Sequence, residues 1–432
     1  QQMQGYAYFT SSKIAKYHTF LDMNIPLRDF RETIFLDTIE YLYRHNPTLR
    51  AVIRTEEGCP CQAIDEQKEA GYYIDYHFPA EDSDPESCRA AAKSQACEKI
   101  DLNGGCLSRV AILVYPDRQA ECMLFLHHII ADQMSMAILH RQFLTVYSLL
   151  QQSNFSPANL PQPACSGSIL DYAGWQYENW TKKKEKYIRY WHTTLGVYNE
   201  KLIPNLLRLS PGYSSHAEEH ALNDILNDAP SGFHIQILRG TCKDSLYRLA
   251  SRLQQSIAAV FTGLYSLLPY YQTGRGKSLS ALVVRETGYP KVRDMVGPFT
   301  GAIYVTKEPD VENDTYESYF QAIFFHILQA AHYLITDHAS LHLHGRLLRL
   351  NCDVFLNVFP AFLDVSLDKT YYTGEAYAQS HVYYALECNV YEQKDHIYIL
   401  WGYNKALYSA DRIDQLSRLL EKLLLHIDTH YP

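Results

Sequence analysis

The residues best placed to do chemistry together lie in one short stretch, Met123-Leu-Phe-Leu-His127-His128-Ile-Ile-Ala-Asp132-Gln133-Met-Ser135. An imidazole with its ordinary pKa of about 6.5 can take a proton from an attacking nucleophile at neutral pH. A carboxylate nearby can fix the geometry, by pairing with the imidazole or with a cation that braces the loop. Side chains alternate along a strand, so His127 and His128 point to opposite faces and only one of them easily lines a given cavity. No Gly-x-Ser-x-Gly elbow occurs in the chain, so a serine hydrolase has no obvious nucleophile. Direct transfer of an acyl group to a bound acceptor fits better than an acyl-enzyme. A plainer reading stands beside this one. Asp132 could serve only as the N-cap of a helix starting near Met134, and the histidines could be satisfied core residues at a strand end. Taken alone, His-His-x-x-x-Asp does not decide between them.

The elements that must position this stretch can be read from periodicity. Glu121 to His128 and Leu107 to Tyr115 predict two strands, with Asp117-Arg118-Gln119 as the turn between them. Met136, Leu139, Phe143, Val146 and Leu150 fall three or four apart and predict a helix from Met134 to Leu150. Phe30 to His45 predicts an earlier helix with Phe30, Ile34, Leu36, Ile39 and Leu42 on its inner face. Asn46-Pro47 ends it, and Leu49 to Ile53 follows as a strand. The segment from Ser153 to Ser168, with Pro157, Pro161 and Pro163, is the best linker. Beyond it, helices are expected at 243–254 and 257–270, strands at 279–285, 301–306, 353–359, 381–391 and 396–403, and a closing helix from Ala410 to His426. No solenoid-type repeat is present. Helices and strands mixed in both halves predict two α/β lobes, 1–160 and 161–432.

Composition bounds the function. A chain of 432 residues is long enough for two domains of roughly 100–200 residues each, with a full core and no need of disulfides. Net charge is −9, against the basic balance of a nucleic-acid binder. The dense cationic run Lys182-Lys183-Lys184, with Lys186 and Arg189, reads first as a solvated helix face and second as a docking surface for an acidic partner. Ten cysteines are scattered along the chain; Cys59-Pro-Cys61 is the one close pair, and no second pair or nearby His completes a zinc pattern. Reduced thiols in a cytoplasmic protein are the expectation. No apolar run approaches the roughly 20 residues of a membrane helix. The 35 tyrosines, each with a large apolar body and a polar tip, suit lobe interfaces and wet passages.

The central motif resembles the His-His-x-x-x-Asp-Gly signature of nonribosomal-peptide-synthetase condensation domains, and the resemblance runs along nearly the whole chain. Arg44-His45-Asn-Pro-Thr-Leu49-Arg50 is similar to an early family segment. Asp171-Tyr172-Ala173-x-Trp175-Gln176 and Tyr190-Trp191-x-x-x-Leu195 are similar to elements that open the second half. Val284-Arg285, followed by Met295-Val296-Gly297-Pro-Phe299, resembles the Gly-Arg and Val-Gly-x-Phe pair. Asp353-Val-Phe-Leu-Asn357 resembles the late Phe-Asn strand, and Tyr403-Asn404 with the final helix resembles the family's ending. Six pieces in the right order make the set specific. Two departures stand out. Gln133 replaces the Gly after the Asp, adding bulk and an amide where glycine lets backbone and substrate arm approach closely. Val-Val-Arg285-Glu replaces Ser-Gly-Arg.

The resemblance implies an α/β fold of two chloramphenicol-acetyltransferase-like lobes in a V, with a tunnel between them. It implies an acyltransferase that forms an amide between a carrier-bound donor thioester and an acceptor amine. His128 is then the catalytic histidine that positions or deprotonates the nucleophile, and His127 is more structural. Asp132 forms a salt bridge with Arg285, and Gln133, Ser135 and Asn357 face the substrate tunnel. No metal is required. The phosphopantetheine arm comes with donor and acceptor peptidyl carrier domains, so the chain itself binds no cofactor. Rival functions on the same fold are an ester-forming or coenzyme-A-dependent acyltransferase, a terminal cyclising condensation domain, an epimerisation domain and a non-catalytic carrier-binding module. The plant-type coenzyme A enzymes also carry an Asp-Phe-Gly-Trp-Gly element, which is absent here.

Overall fold

Leu21, Met23, Ile25 and Leu27 alternate with Asp22, Asn24 and Pro26, and this period of two makes Phe20–Leu27 the first strand, β1. A computed structural model describes residues 20–117, 119–152, 154–162, 167–195, 230–273, 278–334, 352–359, 382 and 384–431. The chain divides into two compact units. The first holds the described residues up to Asn179 together with Thr287–Phe299; the second holds Trp180–Glu286 and the described residues from Thr300 onward.

In the first unit β1 leads to helix α1 (Glu32–His45), a 3-10 turn (Pro47–Arg50), the hairpin β2 (Ala51–Glu56) and β3 (Cys59–Ile64), strand β4 (Ile74–His77), helix α2 (Pro85–Glu98), strands β5 (Ser108–Val114) and β6 (Ala120–His127), and helix α3 (Gln133–Leu150). The main sheet has the order β1-β6-β5-β4, antiparallel except for the β5–β4 pair. Strand β6 is central and carries an almost unbroken apolar run, Cys122 to Leu126, buried on both faces. The α3 stripe falls where expected, with Met136, Leu139, Phe143 and Val146 buried. In α1 the buried stripe is Ile34, Phe35, Ile39 and Leu42, while Leu36, expected inside, is 38% exposed. The strand expected from Leu49 starts at Ala51, because Pro47 opens a 3-10 turn that holds Leu49 and Arg50.

Helix α4 (Ile169–Leu195) runs through the point where the chain changes unit, after Asn179. The expected boundary at 160/161 followed the prolines of the 153–168 segment, in which residues 153 and 163–166 lie outside the described residues. The contacts place the change later for a packing reason. Ile169 and Tyr172, on the first turn of α4, bury themselves with Val292, Met295 and Phe299 in the first unit, whereas Trp191 and Leu195 enter the core of the second. The cations Lys182, Lys183, Lys184, Lys186 and Arg189 lie on the exposed side of this helix.

The second unit continues with β7 (Ser231–Leu238), α5 (Gly240–Leu253), α6 (Ile257–Thr273), β8 (Ser278–Arg285), β9 (Thr300–Lys307), α7 (Tyr316–His332), β10 (Val354–Phe359), β11 (Leu386–Glu392), β12 (Ile397–Asn404) and α8 (Ala410–His430). Its sheet has the order β7-β12-β11-β10-β8-β9, with β10 parallel to both neighbours. Trp401 is fully buried there, its indole N–H satisfied by Gln236 at 2.9 Å. The strand expected at 381–391 begins at Leu386; residues 381 and 383 lie outside the described residues. Among the described residues no helix is long and apolar enough to cross a membrane, and no group of three His, Cys, Asp or Glu side chains could hold a metal.

Candidate active site

Strand β6 is held on both sides by β1 and β5, which fixes where its last residue, His127, must lie. The His127 N–H donates to the Leu107 carbonyl at 2.9 Å, and its own carbonyl accepts from the Ile130 N–H at 3.0 Å. The chain thus turns at once, and His128 opens the turn rather than extending the strand, one residue short of the expected strand end. The two histidines do part ways. His127 is 2% exposed, while His128 is half-buried.

Their chemistry differs accordingly. The His127 Nδ1 accepts the Ile129 N–H at 3.0 Å, so this nitrogen carries a lone pair. Burial, helped by the nearby His128 charge, pushes the His127 pKa down from 6.5 to about 3. At neutral pH it is a neutral, sequestered ring. His128 makes the opposite arrangement. Its Nδ1 lies 2.9 Å from the Ala131 carbonyl oxygen. A carbonyl only accepts, so Nδ1 carries the hydrogen and Nε2 of the neutral ring keeps its lone pair. A ring held this way can accept a proton at Nε2.

Asp132 follows as the N-cap of α3 and is completely buried. Its Oδ1 accepts from the Ser135 N–H at 2.9 Å and the Ser135 hydroxyl at 2.8 Å, while the Ser135 Oγ lies 3.3 Å from the Asp132 N–H; this is a reciprocal capping box. Its Oδ2 accepts the Phe299 N–H at 3.1 Å. Ser135 Oγ also bonds both backbone groups of Gly297, accepting from N at 3.0 Å and facing the carbonyl at 2.9 Å. Thr48 donates to the Val296 carbonyl at 3.0 Å. The 287–299 segment is therefore stitched to Asp132 and Ser135 at Gly297 and Phe299, and to the Pro47–Arg50 turn at Val296. Gly297 is needed at its place: a Cβ there would sit 2.5 Å from the Phe299 ring.

The structure thus brings His127, His128, Asp132, Gln133 and Ser135 into one turn and the start of one helix. The N-cap role of Asp132 is realised, through a carboxylate that also fastens a distant segment. Ser135, expected on a tunnel wall, is instead 0% exposed, its hydroxyl engaged with Asp132 and Gly297. Gln133 is half-buried at the first position of α3. Arg285 and Asn357 belong to the second unit, Arg285 as the last residue of β8 and Asn357 half-buried in β10, in register with Asn389. Thr48, Gly297 and Phe299 acquire roles that sequence reasoning did not give them. The signal was a glycine two residues before a phenylalanine, between two strands.

A two-unit α/β chain with a His-His-x-x-x-Asp turn closing the central strand defines a class, and comparison with known proteins identifies it. The solved condensation domain that mediates chain release from the enacyloxin polyketide synthase is similar over all of this chain and 82% of its own, with a TM-score of 0.76 and 16% identity. The first condensation domain of the calcium-dependent antibiotic synthetase, in complex with a substrate analogue, gives a TM-score of 0.68 at 15% identity, covering 96% of this chain and 92% of its own. The family model described as Condensation domain matches residues 2–431, and the chain belongs to that family. Among curated relatives, tyrocidine synthase 3 of Brevibacillus parabrevis is 22% identical over 67% of this chain and 4% of its own length. Polyketide synthase PksN of Bacillus subtilis is 22% identical over 94% of the chain and 7% of its own length. The chain thus spans a few per cent of the curated relatives it matches. Condensation domains are in general acyltransferases, and in synthetases they work with carrier domains.

Proposed function

We propose that this chain transfers a donor acyl or peptidyl group from a carrier-bound thioester to an acceptor amine, with His128 Nε2 facing the reacting nitrogen. The observation that carries the reading is the 2.9 Å bond from His128 Nδ1 to the Ala131 carbonyl, on a ring that is half-buried rather than sealed. In this reaction the amine nitrogen attacks the thioester carbonyl carbon, a C–N bond forms and the C–S bond breaks. The proton lost by the amine passes through His128 to the departing thiolate. An α-amino group has a pKa of about 8, so a useful free-base fraction exists at neutral pH without help. Positioning therefore counts for as much as basicity, and His128 serves by orienting the amine and receiving its proton. His127, neutral and engaged with Ile129, holds the turn.

The phosphopantetheine arms belong to the partner carriers, in keeping with what condensation domains do in synthetases. Gln133 is proposed as a substrate-facing residue. Gln133 in place of glycine bears on the choice of substrate, because its amide stands one residue after the motif.

The test is mass spectrometry of an acceptor carrier after incubation with a loaded donor carrier in deuterated buffer. A mass gain equal to the donor acyl group, lost with His128→Ala, is expected. Deuterium uptake at an α-carbon without transfer would instead show epimerisation, and neither change would show a carrier-binding module.

A further inference from the structure

We propose that Ser135 is a positioning residue for His128, acting through a single peptide group. The Ala131 carbonyl and the Asp132 N–H belong to one planar unit and point to opposite sides of the chain. The carbonyl edge holds His128 Nδ1 at 2.9 Å, and the N–H edge donates to Ser135 Oγ at 3.3 Å. Rotation of the peptide would break both bonds together, so the serine hydroxyl and the imidazole clamp the same plane from its two edges.

The hydroxyl is itself fixed from outside the turn. It accepts the Gly297 N–H at 3.0 Å, and its own proton is directed at Asp132 Oδ1, 2.8 Å away, or the Gly297 carbonyl, 2.9 Å away. Ser135 is 0% exposed, so bulk water does not stand ready to replace the hydroxyl if it is removed. Without Oγ the Asp132 N–H loses that acceptor and the Gly297 N–H loses its own. The peptide is then free to turn, and the Ala131 carbonyl leaves His128 Nδ1. The ring then populates the tautomer with hydrogen on Nε2, which has no lone pair at the nitrogen that faces substrate. The catalytic consequence rests on the proposed role of His128; the tautomer itself does not.

The experiment is nitrogen-15 NMR of the histidine rings in the full chain, with His128 assigned by its loss in His128→Ala. The wild type is expected to show His128 with hydrogen on Nδ1. Ser135→Ala is expected to raise the Nε2–H population about tenfold, the scale set by one lost hydrogen bond. Ser135→Thr keeps the hydroxyl and is expected to keep the wild-type tautomer. Thr48→Val is the structural control. It removes another buried hydroxyl that bonds the same 287–299 segment, through Val296, and is expected to lower the melting temperature without moving the tautomer. A folded Ser135→Ala with the wild-type tautomer overturns the inference, as does a Thr48→Val or Ser135→Thr shift equal to that of Ser135→Ala. The two readings fail separately. An unmoved tautomer with turnover lost in His128→Ala removes the Ser135 clamp alone, and a moved tautomer with turnover intact in His128→Ala removes the acyl-transfer role alone.

Discussion

Phe299 donates its backbone N–H to the buried carboxylate of Asp132 at 3.1 Å, across 167 positions of sequence. The same carboxylate caps α3, so one side chain joins the motif turn, the helix behind it and the returning 287–299 segment.

Asp132→Ala should therefore cost stability as well as activity. Loss of an N-cap costs about 1 kcal/mol, and a buried N–H left without its acceptor about 1–3 kcal/mol. Asp132→Asn retains one acceptor oxygen and should recover part of the loss. The two units need not unfold together, so hydrogen exchange of first-unit amides under rising denaturant is the suitable measure. Equal protection in wild type and Asp132→Ala would refute the assignment.

Gly297→Ala tests the close approach directly. The added methyl would lie 2.5 Å from the Phe299 ring, which is itself packed edge-on against Tyr172 with centroids 4.8 Å apart. Relief requires moving Phe299 and with it the bond to Asp132, at about 1–3 kcal/mol for overpacking. A crystal structure of the variant should show Phe299 displaced; an unmoved ring with wild-type stability would contradict the packing argument.

His127 gives the fold an acid sensitivity. Its folded pKa, about 3, lies below the ordinary 6.5, so between these values the unfolded chain binds the extra proton. The associated stability is complete above about pH 6.5 and is lost as pH falls toward 3, amounting to about 2 kcal/mol between pH 6.5 and pH 5. His127→Asn presents an amide oxygen to the Ile129 N–H and does not titrate. Unfolding of the variant should lose stability less steeply over that interval. Parallel curves for the two proteins would show that His127 is not the group responsible.

Substrate chemistry supplies a fourth prediction. An alcohol is a far weaker acid than an ammonium ion and needs real base catalysis, worth about 10²–10⁴ in rate. His128→Ala should thus slow transfer to an alcohol acceptor more than transfer to its matched amine. Equal losses would mean that His128 acts on both acceptors by the same means.

Much of this was legible in the sequence, for physical reasons that differ by element. Strand β6 and helix α3 were found because the buried run ends at two histidines and the next apolar residues change period from two to three or four. Asp132 could be read as an N-cap because Asp is among the residues preferred at that position. The sequence signal of strand β1 is weak although Met23, Ile25 and Leu27 alternate with Asp22 and Asn24, because Pro26 argues against a strand except at an edge, which is where β1 lies. Helix α2 is likewise faint in the sequence, though Asp84 as N-cap and Pro85 at the first position announce it, because its buried face is built of alanines. The resemblance implies a tunnel role for Ser135. Its true partners are the backbone of Gly297, 162 positions away, and no local pattern encodes a contact of that kind.

The most direct measurement is the single-turnover rate of acyl transfer from a loaded donor carrier to an acceptor carrier, wild type beside His128→Ala, with folding checked by circular dichroism. The account predicts intact folding and a rate at least about 10²-fold lower in the variant. A folded His128→Ala chain that transfers the acyl group at the wild-type rate would contradict it.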